Sequence, residues 1–183
     1  MARSKKAQAA IDDALSIQAP AGQVGLGVDL VEIDRIRRIL ARTPRFVRRV
    51  FTEGEAAYCT ERADPAIHFA ARFAAKEAAV KALGTGFSEG IGFTDVEVAR
   101  DPKGRPSLLL HGRAAEKAEE MGVTDMPLSM SHTENDAVAC AIAITRDSAA
   151  VAKKRIDPAA ELAKQFKETR SMLDDLTAKG DEE

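Results

Sequence analysis

The chain has 183 residues, 45% hydrophobic and 31% charged, enough for one compact domain with an appendage. Its 27 Lys and Arg against 29 Asp and Glu leave a net charge of -2, which argues against a polybasic nucleic-acid binder and leaves room only for a local basic patch. Cys59 and Cys140 stand alone without a CxxC or His-rich context, and the longest apolar run, Ala137 to Ile144, is far short of the roughly 20 residues of a membrane helix. A reducing cytoplasm is the expected compartment.

Residues 1–22 are Ala-rich, polar and closed by Pro20 and Gly22, so a frayed or weakly helical leader is expected, with a folded domain over 23–147. From Val24 to Val31 apolar residues alternate strictly. The spacing predicts a strand that buries Val24, Leu26, Val28 and Leu30 and turns Gly25, Gly27 and Asp29 toward open space that a phosphate could enter. Glu32 to Leu40 reads as a helix, broken at Thr43-Pro44, and Arg45 to Phe51 as a second amphipathic stretch. Thr52 with Glu53 and Glu55 looks like the cap and acidic first turn of a short helix. Asp64-Pro65 is a strong start for a helix from about Ala66 to Leu83, which should stop at Gly84.

Four glycines fall between Gly84 and Gly92, a loop followed by two expected strands, Phe93 to Ala99 and Pro106 to Leu110, around the turn residues 101–104. A helix from about Arg113 to Met121 ends at Gly122. Leu128 to His132 and Ala137 to Thr145 read as further strands, the last alternating Val138, Cys140, Ile142 and Ile144 with alanines against which something must pack closely. Over 148–183 charge rises and balances. A solvated helical extension is expected there, with Leu162, Phe166, Met172 and Leu173 available for docking. Strands and helices interleave without a strand-helix-strand rhythm, so the expected class is α+β with a largely antiparallel sheet packed with helices.

Three features point to chemistry. Glu77 lies four residues after Phe73 and three before Val80, on an apolar stripe, where a carboxylate must be paired or coordinated. An ion pair with Lys81 one turn on would satisfy it. Asp29, inside an apolar strand, could equally face solvent or cap the next helix. Taken together with Lys81 and the glycine loop, however, the two carboxylates form an inventory for Mg²⁺ shared with a phosphate ligand, Lys81 and free loop amides neutralising the remaining charge. The loop matches neither GxxxxGK[ST] nor GxGxxG. Ser131 and His132 point to opposite faces of a strand, so they form no hydrolytic dyad, and His132 suits a phosphate or nucleotide contact better. Finally, Arg35, Arg37, Arg38, Arg42, Arg45, Arg48 and Arg49 follow one another without an intervening acid, interleaved with Ile36, Ile39, Phe46 and Val47. Such a face suits an acidic helix better than nucleic acid, given the overall charge.

Three segments resemble the holo-acyl-carrier-protein synthases, the short-type 4′-phosphopantetheinyl transferases: Gly25-Leu26-Gly27-Val28-Asp29-Leu30-Val31-Glu32-Ile33-Asp34-Arg35-Ile36, then Arg72-Phe73-Ala74-Ala75-Lys76-Glu77-Ala78-Ala79-Val80-Lys81-Ala82-Leu83-Gly84-Thr85-Gly86, then Leu128-Ser129-Met130-Ser131-His132-Thr133. The resemblance, in order and spacing from about Val24 to Thr145, implies the 4′-phosphopantetheinyl transferase fold. The implied reaction moves the arm of coenzyme A to a serine of an acidic apo acyl carrier protein or of a carrier domain of a fatty acid synthase and releases 3′,5′-ADP. It further implies that Asp29 and Glu77 bind Mg²⁺, that Glu77 and Lys81 act in catalysis, and that Lys81, Gly84, Gly86 and His132 lie near coenzyme A. Arg35, Arg45, Phe46 and Arg49 would grip the carrier's acidic helix, and a homotrimer is implied. The serine's proton would pass to a metal-bound water or to Glu77. A non-catalytic module that binds an acidic helical partner through its arginine face is the alternative, and it leaves Glu77 and the glycine loop without a role.

Overall fold

Local chemistry sets most element boundaries in the computed structural model, which describes residues 24–101, 103–155 and 167. In chain order these are β1 (Gly25–Glu32), α1 (Ile33–Arg42), α2 (Arg45–Val50), α3 (Glu53–Thr60), α4 (Pro65–Ala82), a 3₁₀ turn (Phe93–Asp95), β2 (Val96–Arg100), β3 (Pro106–Leu110), α5 (Gly112–Glu120), β4 (Val123–Asp125), β5 (Leu128–His132), β6 (Asp136–Thr145) and α6 (Arg146–Arg155). The expected leader and the four apolar residues of the expected extension lie outside the described residues. One compact unit ends at Ser148 and a second covers 149–183.

The caps behave as their chemistry predicts. The Thr52 hydroxyl accepts from Glu55 N while the Glu55 carboxylate accepts from Thr52 N, a reciprocal box that opens α3. At α4 the Asp64 carboxylate accepts from Ala66 N at 3.1 Å, Pro65 occupies the first turn, and Gly84 follows the helix at φ +71°. Two boundaries differ from expectation. Phe93–Asp95 forms a 3₁₀ turn instead of opening a strand, because Asp95 accepts from Gly92 N and its carbonyl accepts from His111 N. The short β4, unanticipated, pairs Val123 with Thr145.

Sheet pairing is antiparallel throughout. β6 takes β1 on one edge, from Gly25 opposite Ala143 to Glu32 opposite Asp136, while β5 and β4 pair with successive stretches of it. β2 and β3 form a separate two-stranded sheet. Ala137, Ala139, Ala141 and Ala143 of β6 are buried, as are Ala74, Ala75, Ala78 and Ala82 of α4, so the close packing expected on the alanine face of β6 is supplied by this helix.

The expected orientation of β1 is reversed. Val24, Leu26, Val28 and Leu30 are 51%, 62%, 50% and 62% exposed, and it is the Gly25, Gly27 and Asp29 face that turns inward. A Cβ at Gly27 would lie 1.9 Å from Ala78 O, and one at Gly25 would lie 2.0 Å from Ala82 O. The two glycines therefore admit the backbone of α4, not a ligand. Strand and helix can touch main chain to main chain only where neither carries a side chain larger than alanine.

Two polar groups are set into the core. Lys76, fully buried, donates to Phe93 O at 3.0 Å and to Val96 O, and pairs with Glu55 Oε2 at 2.8 Å. Glu55 Oε1 in turn accepts from Val98 N at 2.9 Å. Burial lowers the Lys76 pKa, and the Glu55 charge opposes that shift. Every charge in this cluster has a partner, which is the condition for burying it, and the cluster ties α4 to α3 and to the start of β2.

Candidate active site

Asp29 reaches the site from β1 and Glu77 from α4, the two elements pressed together at Gly25 and Gly27. Lys81, in the last turn of α4, does not pair with Glu77. Its Nζ crosses to Asp29 Oδ1 at 2.7 Å and to Val28 O at 3.2 Å. Burial, and next the neighbouring Asp29 charge, hold the Glu77 carboxyl above its usual range, with Lys81 and Arg35 pulling the other way. The expected convergence of Asp29, Glu77 and Lys81 is therefore present, and Arg35 joins it.

Among the described residues no three His, Cys, Asp or Glu side chains come together. Two carboxylate donors suit a hard cation such as Mg²⁺, which takes oxygen ligands and keeps substrate phosphates and water in its remaining positions. The donor set fits that cation and is unsuited to a closed structural zinc site.

The glycine loop departs from expectation. Gly84 N donates to Lys81 O at 3.0 Å, and Thr85 N and Gly86 N both donate to Val80 O, at 3.1 and 3.3 Å. These amides close the C-terminus of α4, whose last carbonyls need donors, and are not free to cradle a phosphate. What Gly84 and Gly86 contribute is space: both have positive φ, and nothing stands within 4 Å of a Cβ at either.

His132, exposed at the end of β5, lies near a second cluster that the sequence reading passed over. The Arg72 guanidinium stacks 4.1 Å from the Tyr58 ring centre, Arg62 also at 4.1 Å and Arg100 at 5.0 Å. Arg72 is buried and its Nε has no hydrogen-bond partner. Burial lowers the His68 pKa, helped by Arg72, Arg62, Arg100 and, more weakly, His132. So many cations around one ring, one of them with an unused buried donor, suit an anion. The signal was an arginine inside an apolar helical stripe. Beside β5, a cavity of about 490 Å³ is walled by Pro106, Pro127, Leu128 and Met130, with Ser107, Ser129 and the Asp101–Arg105 ion pair as its polar lining.

The arginine face divides. Arg35, Arg45 and Arg49 are exposed, whereas Arg37 is tied to Asp34 and to Asp64 and serves to hold α1 against the start of α4. A groove of about 270 Å³ runs past Arg35, Arg38, Ile39 and Arg42. Ile36, expected among the surface contacts, is a core residue at 1% exposure. Phe46 is half-buried, its ring edge-on to Phe51 at 5.8 Å and 6.1 Å from Phe73, one turn before Glu77. Phe73 stacks on Phe93 at 5.6 Å, and Phe93 on Phe87 of the glycine loop at 3.8 Å. An unbroken run of rings thus joins the arginine face to the loop beyond the carboxylates.

Known proteins share this sequence and fold. The chain is 49% identical over 119 residues to the holo-[acyl-carrier-protein] synthase of Syntrophus aciditrophicus, covering 64% of this chain and 93% of that protein. The crystal structure of holo-[acyl-carrier-protein] synthase from Neisseria meningitidis superposes with a TM-score of 0.60 at 34% identity, covering 66% of this chain and 98% of that one. The coenzyme A complex of the synthase from Chronobacterium ammoniagenes gives a TM-score of 0.60 at 33% identity, with 68% and 99% covered. The model of the 4′-phosphopantetheinyl transferase superfamily matches residues 25–143, from the first residue of β1 to within two residues of the end of β6. Fold and sequence agree, and the chain belongs to the 4′-phosphopantetheinyl transferase superfamily.

Proposed function

We propose that this chain is a holo-[acyl-carrier-protein] synthase, which transfers the 4′-phosphopantetheine arm of coenzyme A to a serine of an apo acyl carrier protein. The observation that carries the reading is the meeting of Asp29 and Glu77 beside Lys81, two oxygen donors and a cation from elements locked together by main-chain contact. The relatives bear the synthase name, and one of the solved structures holds coenzyme A.

In the reaction the serine oxygen forms a bond to the pantetheine-bearing phosphorus, the bond to the nucleotide phosphate breaks, and 3′,5′-ADP leaves as the serine proton departs. Asp29 and Glu77 would hold Mg²⁺. Bound there, the cation would draw negative charge from the diphosphate and make 3′,5′-ADP a better leaving group. Lys81 places an ammonium where charge develops on the departing phosphate. The arginines around Tyr58, with His132, supply donors to a nucleotide phosphate, and the cavity between the β2–β3 hairpin and β5 offers a base both apolar walls, at Pro106, Leu128 and Met130, and polar groups, at Ser107, Ser129, Asp101 and Arg105. Arg35, Arg45 and Arg49 meet the carrier's acidic helix, with Phe46 beneath them.

The apolar face of β1 supports the rest of the reading. Leu26, Val28 and Leu30 form a water-facing row too apolar for an isolated subunit, and further copies of the chain cover it in a homotrimer. The transferase domain spans 23–147, with a leader before it and a charged extension over 148–183, and it works in the cytoplasm. No helix among the described residues is long and apolar enough to cross a membrane.

The test is the intact mass of a purified apo acyl carrier protein after incubation with this protein, coenzyme A and Mg²⁺, with an EDTA control. A metal-dependent gain of one phosphopantetheine arm is expected. Absence of any gain, together with no binding of coenzyme A, would overturn the proposal.

A further inference from the structure

Lys81 had two carboxylates to choose from. Glu77 lies one helical turn before it, the usual i,i+4 partner on a helix, yet Nζ reaches across to the strand and sits 2.7 Å from Asp29 Oδ1, with Val28 O as a second acceptor at 3.2 Å. The Asp29 side chain is only 16% exposed, so its charge needs a partner whenever no other cation is present. The Lys81 side chain is 47% exposed, with water on one side into which a flexible four-carbon stem can swing. Asp29 and Glu77 also repel one another, and Lys81 and Arg35 bring the local charge back to balance.

We infer that Lys81 is a resident counter-ion, which occupies Asp29 before a divalent cation binds and moves to the diphosphate when cation and coenzyme A arrive together. The inference rests on the function proposed above. A divalent cation arriving alone must displace an ammonium from Asp29 and leaves the pocket with two positive charges in excess. A diphosphate arriving with it gives that ammonium a new partner and restores the balance. Cation and coenzyme A then favour each other's binding, and Lys81 carries part of that coupling.

The test measures Mn²⁺ binding to the full chain by electron paramagnetic resonance, with and without coenzyme A, for wild type, Lys81→Met and Lys81→Arg. Without coenzyme A, Lys81→Met should bind Mn²⁺ about two- to five-fold more tightly than wild type, the size expected for removing one partly exposed ion pair. The gain in Mn²⁺ affinity on adding coenzyme A should shrink in that variant, while Lys81→Arg stays near wild type. In an Asp29→Asn background the Lys81→Met effect should vanish. If wild type binds Mn²⁺ and Lys81→Met binds it equally or more weakly, the counter-ion role is wrong and the transferase reading stands. If wild type binds no Mn²⁺ with or without coenzyme A, both fall.

Discussion

Replacing Gly27 with alanine puts a methyl group 1.9 Å from Ala78 O, 2.6 Å from Ala82 N and 2.9 Å from Ala78 C. All three atoms are backbone, so no rotamer change relieves the clash. Ordinary contact begins at 3.4 Å, so strand and helix must part by about 1.5 Å, the difference between 3.4 and 1.9. Overpacking costs about 1–3 kcal/mol, and rigid neighbours place this site near the upper end. For a chain of this size that lowers Tm by roughly 6–12 °C. Because Asp29 is two residues along the strand and Glu77 is the residue before Ala78, the same displacement pulls the site apart, and Mn²⁺ affinity should fall with stability. Gly54→Ala is the control, its nearest neighbour being Glu97 Oε1 at 3.9 Å, and it should stay within about 0.5 kcal/mol of wild type. Thermal melts and Mn²⁺ titrations read both effects. A Gly27→Ala protein with wild-type Tm that has lost only coenzyme A binding would refute the packing argument and return the glycine face to the ligand.

Glu77→Gln should abolish carrier modification while the protein stays folded. Burial and the Asp29 charge hold the wild-type carboxyl above the usual carboxylate range, so its charged form disfavours the folded state, and stability is lost as pH rises through the folded pKa. In EDTA, the stability of Glu77→Gln should therefore match wild type below pH 4.5 and gain on it above, as denaturant melts across pH would register. Arg45→Glu should raise the KM for the carrier and leave that for coenzyme A unchanged in steady-state kinetics. Lys76→Met strands the Glu55 charge in the core and should cost about 3–5 kcal/mol by urea unfolding, part of which Glu55→Gln in the same chain restores.

Element ends marked by caps and glycines were readable from sequence: Thr52 with Glu55, Asp64-Pro65 and Gly84 each stand where their chemistry predicts. The face of β1 was not. Alternation tells which residues share a side and is silent on which side meets the core, and apolar residues were given the inside by default. The counter-signal was present in α4, where Ala74, Ala75, Ala78 and Ala82 offer a surface that only glycine or alanine can approach. The alanines of β6 carry the same signal, and there it points to the correct face. At the site, Asp29, Glu77 and Lys81 were legible because charge inside an apolar pattern demands an explanation. The amides of Gly84 and Gly86 were misassigned because loop glycines suggest free donors until the carbonyls of the preceding helix are counted. Arg62 from the turn after α3, Arg72 from α4 and Arg100 from β2 meet at Tyr58, a convergence that no spacing rule encodes.

The register of the main sheet also governs how the chain comes into being. Among the described residues β1 pairs only with β6, and its partners, from Asp136 to Ala143, lie more than 100 residues downstream. At about 5–20 residues per second, a ribosome needs on the order of 5–20 s to deliver them after β1 has been made. Throughout that interval the strand has both hydrogen-bonding edges open and an apolar row ready to stick. Helices α1 to α4 can form early from local contacts, and α4 can meet the β2–β3 hairpin, but its alanine face has no main sheet to lie on until Thr145 has been added. Synthesis of the last strand therefore commits the whole fold at once, and a chain truncated before β6 should be a substrate for chaperones and proteases instead of a partly folded domain.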